Sequence, residues 1–406
     1  MSNLVPHDWK ILQVRDAFLI GRGRVIGKPE IRDNPGPYPV FSSQSKDNGR
    51  MGAISTYDFD GEYITWTTDG AYAGTVFHRY GKFNCTNVCG TLKDNCKYPV
   101  FPKFVASYLG TVAKNHVSYV GNPKLMNGTF ADIEFLLPPL PEQQKIAKIL
   151  TSMDEVIEKT QAQIDKLKDL KTGMMQELLT NGVGVDGKPH TEFKDSPIGR
   201  IPKAWRCKKL GELVIDKGLQ TGPFGSQLHS HEYIESGIPV VMPKDMKGNR
   251  VSKDSIAMIS REKAEELDKH RVIAGDILFS RRGDIGRFAL IEEQNSGWVC
   301  GTGALRVRVS SELNASFLAA YLTLKAVIEW LNVNAVGQTM LNLNTSILAE
   351  LPVVVPSKSE QQLIANTLKS IDDNLNAKLE RLEQLHLMKK ALMQDLLTGK
   401  VRVNID

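Results

Sequence analysis

The segment Asn181–Pro189, NGVGVDGKP, has Gly182, Gly187 and Lys188 at the spacing of a phosphate-cradling loop. Such a loop needs backbone N–H groups around the phosphates, a lysine to neutralise them and a following Ser or Thr for magnesium. Pro189 occupies that last position and no strand pattern precedes the segment, so it reads as a linker. Gly21-Arg22-Gly23 lacks a dinucleotide-binding context, and Gly121-Asn122-Pro123-Lys124 lacks the aromatic-flanked Pro-Pro form of an adenine methyltransferase. Cys85, Cys89 and Cys96 lie close together, but no second Cys/His pair follows at zinc-like spacing. The eight histidines are not paired with a nucleophile, and no HExxH or GxSxG motif occurs. These patterns predict no catalytic residues and no metal site.

Length and composition set the frame for these fragments. A chain of 406 residues is expected to form two domains with connecting helices rather than one core. Hydrophobic residues make up 41% and charged residues 24%, the balance of a soluble globular protein. No apolar run approaches the ~18 residues of a membrane span, and MSNLVPHDWK lacks a signal-peptide layout. Five cysteines without a framework suit a reducing cytosol, so a cytoplasmic protein is expected. The net charge of +5 is compatible with nucleic acid without pointing to it.

The dominant signal is an internal repeat. Glu142–Val183 aligns with Glu360–Val401 without a gap, and 16 of 42 positions are identical. Both copies open with Glu-Gln-Gln after a Pro-rich lead-in, LPPLP and LPVVVP, and close with MQELLT or MQDLLT. Weaker similarities lie upstream: Val5–Trp9 with Ile201–Trp205, GEYITWTTDGAYAG with GDILFSRRGDIG, and FVASYL with FLAAYL. The whole half is duplicated, and the globular segments have diverged most.

Each copy predicts a long helix. Apolar or neutral residues recur at 146, 149, 153, 156, 160, 164, 167, 170, 174 and 178, and from Ile364 through Leu379 and Met388 to Leu396. That period of about 3.5 is a coiled-coil seam. Ser359 with Gln362 has the form of a capping box, Pro141 suits a first helical position, and Asn181 and Gly399 suit helix ends. Pro138 and Pro356 keep the preceding segments extended. Each helix would be about 58 Å long, more than a small domain spans. Connectivity then favours an antiparallel intramolecular pair holding two similar domains apart, with approximate two-fold symmetry. The expected boundaries are 1–140 and 201–358 for the domains, 141–182 and 359–400 for the spacer helices, and 183–200 for a linker.

The repeated Glu-Gln-Gln helices, GDILFSRRGDIG, and TGPFGSQL followed by GIPVVMPKDM make the chain resemble the DNA-specificity subunit of type I restriction–modification systems. The resemblance spans nearly all of the sequence. It implies two mixed α/β (α+β) target recognition domains, separated by two long α-helices forming an antiparallel coiled coil. Each domain would read one part of a split double-stranded DNA site. It further implies two methyltransferase and two restriction subunits as partners, with S-adenosylmethionine, ATP and Mg on those partners and no catalysis here. A methyltransferase fused to its own target domain and a purely structural spacer are the competing classes. The first lacks its cofactor loop, and the second has no need of two glycine-containing domains.

Within that resemblance, loop cations, hydroxyls and amides are the candidates for reading DNA, since base edges specify and phosphate contacts position. In the second half these are Ser280, Arg281 and Arg282, then Thr221, Ser226 and Gln227, then Gln338 and Thr339. In the first half they are Thr67 and Thr68, Asn122 and Lys124, Ser42, Ser43 and Gln44, and the glycine-flanking Arg22 and Arg24. Gln143, Gln144, Gln361 and Gln362 are expected at the helix starts, as local caps or partner contacts.

Overall fold

The computed structural model describes residues 5–43, 46–184, 187–337 and 341–405. The chain divides into two compact units, Met1–Ala162 with Leu379–Asp406, and Gln163–Lys378.

In the first unit, six strands run in the order Phe18–Arg22, Cys89–Asp94, Phe59–Thr67, Val76–Cys85, Pro35–Phe41, Arg50–Ile54. Alternation along Phe59–Thr67 sends Ile64 and Trp66 to one face, where both are fully buried. Trp66 stacks on Phe130 at 4.0 Å and donates its indole N–H to the Leu125 carbonyl. Gly90 is required there, because a Cβ would lie 2.2 Å from the Trp66 ring. Helix Pro102–Val112 covers this face with Phe104, Val105 and Leu109.

In the second unit, four strands follow the same path: Val214–Thr221, Ala304–Val309, Ile277–Ser280, Phe288–Leu290. The parallel pairing Val40↔Asn84 and Phe41↔Cys85 of the first unit recurs as Val240↔Val299 and Val241↔Cys300. The duplication is therefore one of topology as well as sequence. Phe279, Phe288, Phe317 and Tyr321 form the core, and Tyr321 Oη donates to the Pro352 carbonyl at 2.8 Å.

A strand precedes Pro138 in the first half and fills most of the lead-in in the second. Glu134–Leu137 pairs with Lys10–Gln13, and Pro352–Val355 with Arg206–Lys209. Helices Leu140–Thr180 and Lys358–Leu397 follow directly. The repeated Glu-Gln pair locks each strand-to-helix junction. Gln143 is buried; its Nε2 donates to the Pro138 and Pro99 carbonyls and its Oε1 accepts from Phe101 N–H. Gln361 does the same with Pro356, Glu312 and Asn314 N–H. Glu142 accepts from Trp9 Nε1 and Arg402, and Glu360 from Trp205 Nε1, Val183 N–H and His190.

Several helix details differ from expectation. Ser357, not Ser359, caps the second helix, its hydroxyl accepting from Glu360 N–H. Gly182 and Gly399, not Asn181, carry the left-handed φ at the helix ends, and a Cβ on them would strike Trp205 and Pro6 respectively. The seam passes through Ile157, Lys171, Lys378 and Lys389, while Val156, Leu170, Leu379 and Met388 are exposed. The lysines occupy seam positions because each has a polar partner on the facing helix, leaving its stem to pack. Within the first unit Lys389 meets Asp154 at 2.5 Å; within the second Lys171 meets Asp372 at 2.6 Å and Lys378 donates to Gln163. Packing of Ile146 and Leu150 with Leu396 in the first unit, and of Leu178 and Leu179 with Ile364 and Leu368 in the second, makes the pairing antiparallel in each. Among the described residues no single helix is long and apolar enough to cross a membrane.

Candidate nucleic-acid interface

At one rim of the first unit the strand Phe59–Thr67 runs out into Thr68-Asp69-Gly70. Thr68 N–H donates to Val88 O, while Thr68 O accepts from Leu125 N–H and Pro123 O from Gly70 N–H. Asp69 and Ser118 each form a β-bridge with Lys124, so the loop Ser118–Lys124 lies along the strand end. Arg22, ending its own strand, reaches across the junction. Its Nε donates to Asn87 O at 2.5 Å, and its Nη2 lies 3.3 Å from both Thr68 Oγ1 and Asp69 Oδ2. One residue before Asn87, Thr86 Oγ1 donates to Ser42 Oγ at 3.0 Å. Arg22, Ser42, Thr68 and Lys124, picked from four separated stretches of sequence, thus belong to one continuous rim. Asn122 is exposed on the same loop as Lys124.

The second unit builds the same junction with other side chains. Arg281 N–H donates to Gly303 O, and Arg281 O accepts from Leu343 N–H, repeating the bonds of Thr68. Arg282 and Val336 each bridge to Asn342, as Asp69 and Ser118 do to Lys124. Thr221, opposite Leu305, occupies the place of Arg22, opposite Gly90. Arg281 Nε lies 3.3 Å from Asn342 Oδ1, and Arg282 is exposed.

Some expected contacts are turned inward. Ser280 is 1% exposed and its hydroxyl donates to Arg282 O, so it shapes the loop instead of facing solvent. Thr67 is likewise buried, and Gln143 and Gln361 are consumed by their junctions, whereas Gln144 and Gln362 are exposed. Gln227 Oε1 accepts from Phe224 N–H within its own turn, leaving Ser226 exposed. Arg24 is held by Glu30 at 2.6 Å and Asp58 at 3.0 Å, and its hydrogen bond keeps the Glu30 carboxyl below the usual range. Ser43 is half-buried; Gln44, Gln338 and Thr339 lie outside the described residues.

Other participants were not legible in the sequence. Asp69, Thr86, Asn87 and Asn342 enter through contacts far along the chain. Arg79 was also missed: its guanidinium stacks 3.7 Å from the Phe41 ring and donates to Asn48 O, pinning the segment after Phe41. Burial pushes its pKa down to about 10. A strand arginine between His78 and Tyr80 gives no local hint of this.

Duplicated domains, each with a polar rim and a long helix, define a two-module recognition protein. The chain belongs to the type I restriction modification DNA specificity domain family, which matches residues 6–169 and 202–385. It is 26% identical over 410 residues to the MjaVIII type I restriction enzyme specificity subunit of Methanocaldococcus jannaschii, covering 98% of this chain and 94% of that one. Over 180 residues, 43% of this chain and 54% of the other, it is 42% identical to the MpnII specificity subunit of Mycoplasma pneumoniae. Its fold is that of the type I restriction–modification S subunit from M. genitalium, with a TM-score of 0.65, 17% identity, and coverage of 98% and 97% of the two chains. As a specificity subunit the chain supplies DNA recognition and is not itself the catalyst.

Proposed function

We propose that this chain recognises a split double-stranded DNA target, one half-site per domain. On this reading it is also the scaffold for two methyltransferase and two restriction subunits. Those partners would hold S-adenosylmethionine, ATP and Mg.

The observation that carries this reading is the loop junction built twice on one backbone pattern. Thr68, Asp69 and Lys124 in the first unit stand where Arg281, Arg282 and Asn342 stand in the second. A common scaffold with different side chains suits two readers of different base sequences, because base-edge donors and acceptors must match the half-site while the platform need not change. Near-identical helix starts, each locked by Trp, Glu and Gln, suit two copies of one partner.

Methylome sequencing of the host with and without this gene tests the reading. A two-part methylated motif that disappears with the gene is expected. An unchanged methylome, or loss of only an uninterrupted motif, would sink it.

A further inference from the structure

We propose that a cleft in the second domain, edged by Lys244, Lys247 and Arg287, grips the DNA phosphate backbone and sets the register of the Arg281–Gly283 loop. This rests on the DNA-recognition reading above. The cleft encloses about 590 Å³ between two walls, with Ile328 among its lining residues. One wall is Asp284–Phe288, the direct continuation of the loop that presents Arg282. The other is the turn of a hairpin in which Met246–Lys247 pairs with Arg250–Val251. Gly248 and Asn249 are both left-handed, with φ of 57° and 65°, as a tight hairpin turn requires. Asn249 O accepts from Leu290 N–H at 3.0 Å, which docks the turn on the sheet edge. The cations therefore stand on a fixed platform beside the reader loop.

The charge of the two lysines is available. Among the cleft-lining residues, three cations face one carboxylate, Asp284, which Arg287 meets at 2.9 Å. Among the described residues Lys244 donates to a neutral carbonyl, Ser255 O. Lys247 meets Asp254 at 3.2 Å, but both side chains are more than half exposed, and such pairs exchange readily for a phosphate. Compact ammonium groups on an exposed turn suit phosphate, which fixes register without reading sequence.

The first domain supplies an independent indication. Strands Pro35–Phe41 and Ile238–Val241 hold equivalent places, as their parallel pairings show. The segment after Phe41 contains Ser42, Ser43 and Gln44, and Ser42 is bonded into the first rim through Thr86. The segment after Val241 is the one carrying Lys244 and Lys247. Both end in consecutive left-handed residues, Asp47, Asn48 and Gly49 in one, Gly248 and Asn249 in the other. Segments following equivalent strands thus adjoin both rims, and the one in the second domain carries Lys244 and Lys247.

The test uses the full chain co-purified with its host's methyltransferase subunits. Binding to a duplex carrying the methylated motif, and to an unrelated duplex, is measured over a salt series. Lys244→Ala with Lys247→Ala should weaken both by about tenfold or more and flatten the slope of log affinity against log salt by about 2, with the motif unchanged. Lys369→Ala, on the long helix, should leave the slope alone. Should the double variant not fold, Lys247→Gln alone should flatten the slope by about 1. An unaltered slope overturns the proposal, as does a changed motif or an equal effect of Lys369→Ala. A wild-type complex with no preference for the motif would overturn the recognition reading itself, and this proposal with it.

Discussion

Trp205 donates its indole N–H to the buried Glu360 carboxylate at 3.0 Å, in the second unit's version of the 3.1 Å contact from Trp9 to Glu142 in the first. Each bond ties the opening of a half to the start of the helix that closes it. A buried carboxylate is tolerable only when its acceptor sites are filled.

Trp205→Phe and Trp9→Phe should each therefore destabilise their own unit by about 2 kcal/mol or more, since a buried acceptor loses its donor and the smaller ring leaves a void. Denaturant midpoints by circular dichroism would show this. Midpoints equal to wild type would mean that the indole bonds contribute nothing.

The seam ion pairs should behave as a matched set. Asp154 with Lys389 and Lys171 with Asp372 are related by the repeat, since 154 + 218 is 372 and 171 + 218 is 389. All four side chains are partly exposed, so each coupling should be modest, about 0.5–1 kcal/mol in a double-mutant cycle. Asp154→Lys alone should lower stability, and Asp154→Lys with Lys389→Asp should recover most of the loss. A double variant no better than the single would remove the pair from the seam's register.

Arg281→Ala with Arg282→Ala should weaken DNA binding by the assembled complex without unfolding it. Arg282→Ala should account for most of the effect, because Arg281 is already committed to Asn342. A bidentate contact to guanine would be seen as about 1–3 kcal/mol of lost discrimination at one position. Unchanged affinity with an unchanged methylated motif would take this loop out of the interface.

Burial, reinforced by the charge of Lys269 and Arg306, pushes His270 down to about 4. Its folded pKa lies below the unfolded value near 6.5, so the unfolded chain takes up the proton first as pH falls. Stability of the second unit should accordingly decline from about pH 6.5 toward pH 4, by up to about 3 kcal/mol from this residue. His270→Leu should flatten that part of the profile. Identical slopes in the two proteins would show that His270 is not responsible.

The chain alone should transfer no methyl group and cut no DNA. Radiolabel transfer from S-adenosylmethionine by rigorously purified chain would contradict its assignment as a specificity subunit.

The duplication, the helix length, the extended segments before Pro138 and Pro356, and the family resemblance were legible in the residues alone. These rest on identity at fixed offset, on periodicity and on proline, all of which act locally. The sequence pattern misplaced the seam at Val156 and Leu170, because apolar character there outweighed Lys171, whose place is decided by Asp372 on the facing helix. Composition marked Arg22, Thr68, Lys124 and Arg282 as candidates, but only the tertiary structure joined them into rims. Bridges such as Asp69↔Lys124 and Arg282↔Asn342 link residues 55 and 60 positions apart and leave no local trace. That the Ser42 and Lys244 segments follow equivalent strands was likewise settled by parallel pairing of those strands, because hydrogen-bond register persists where side chains have changed beyond alignment.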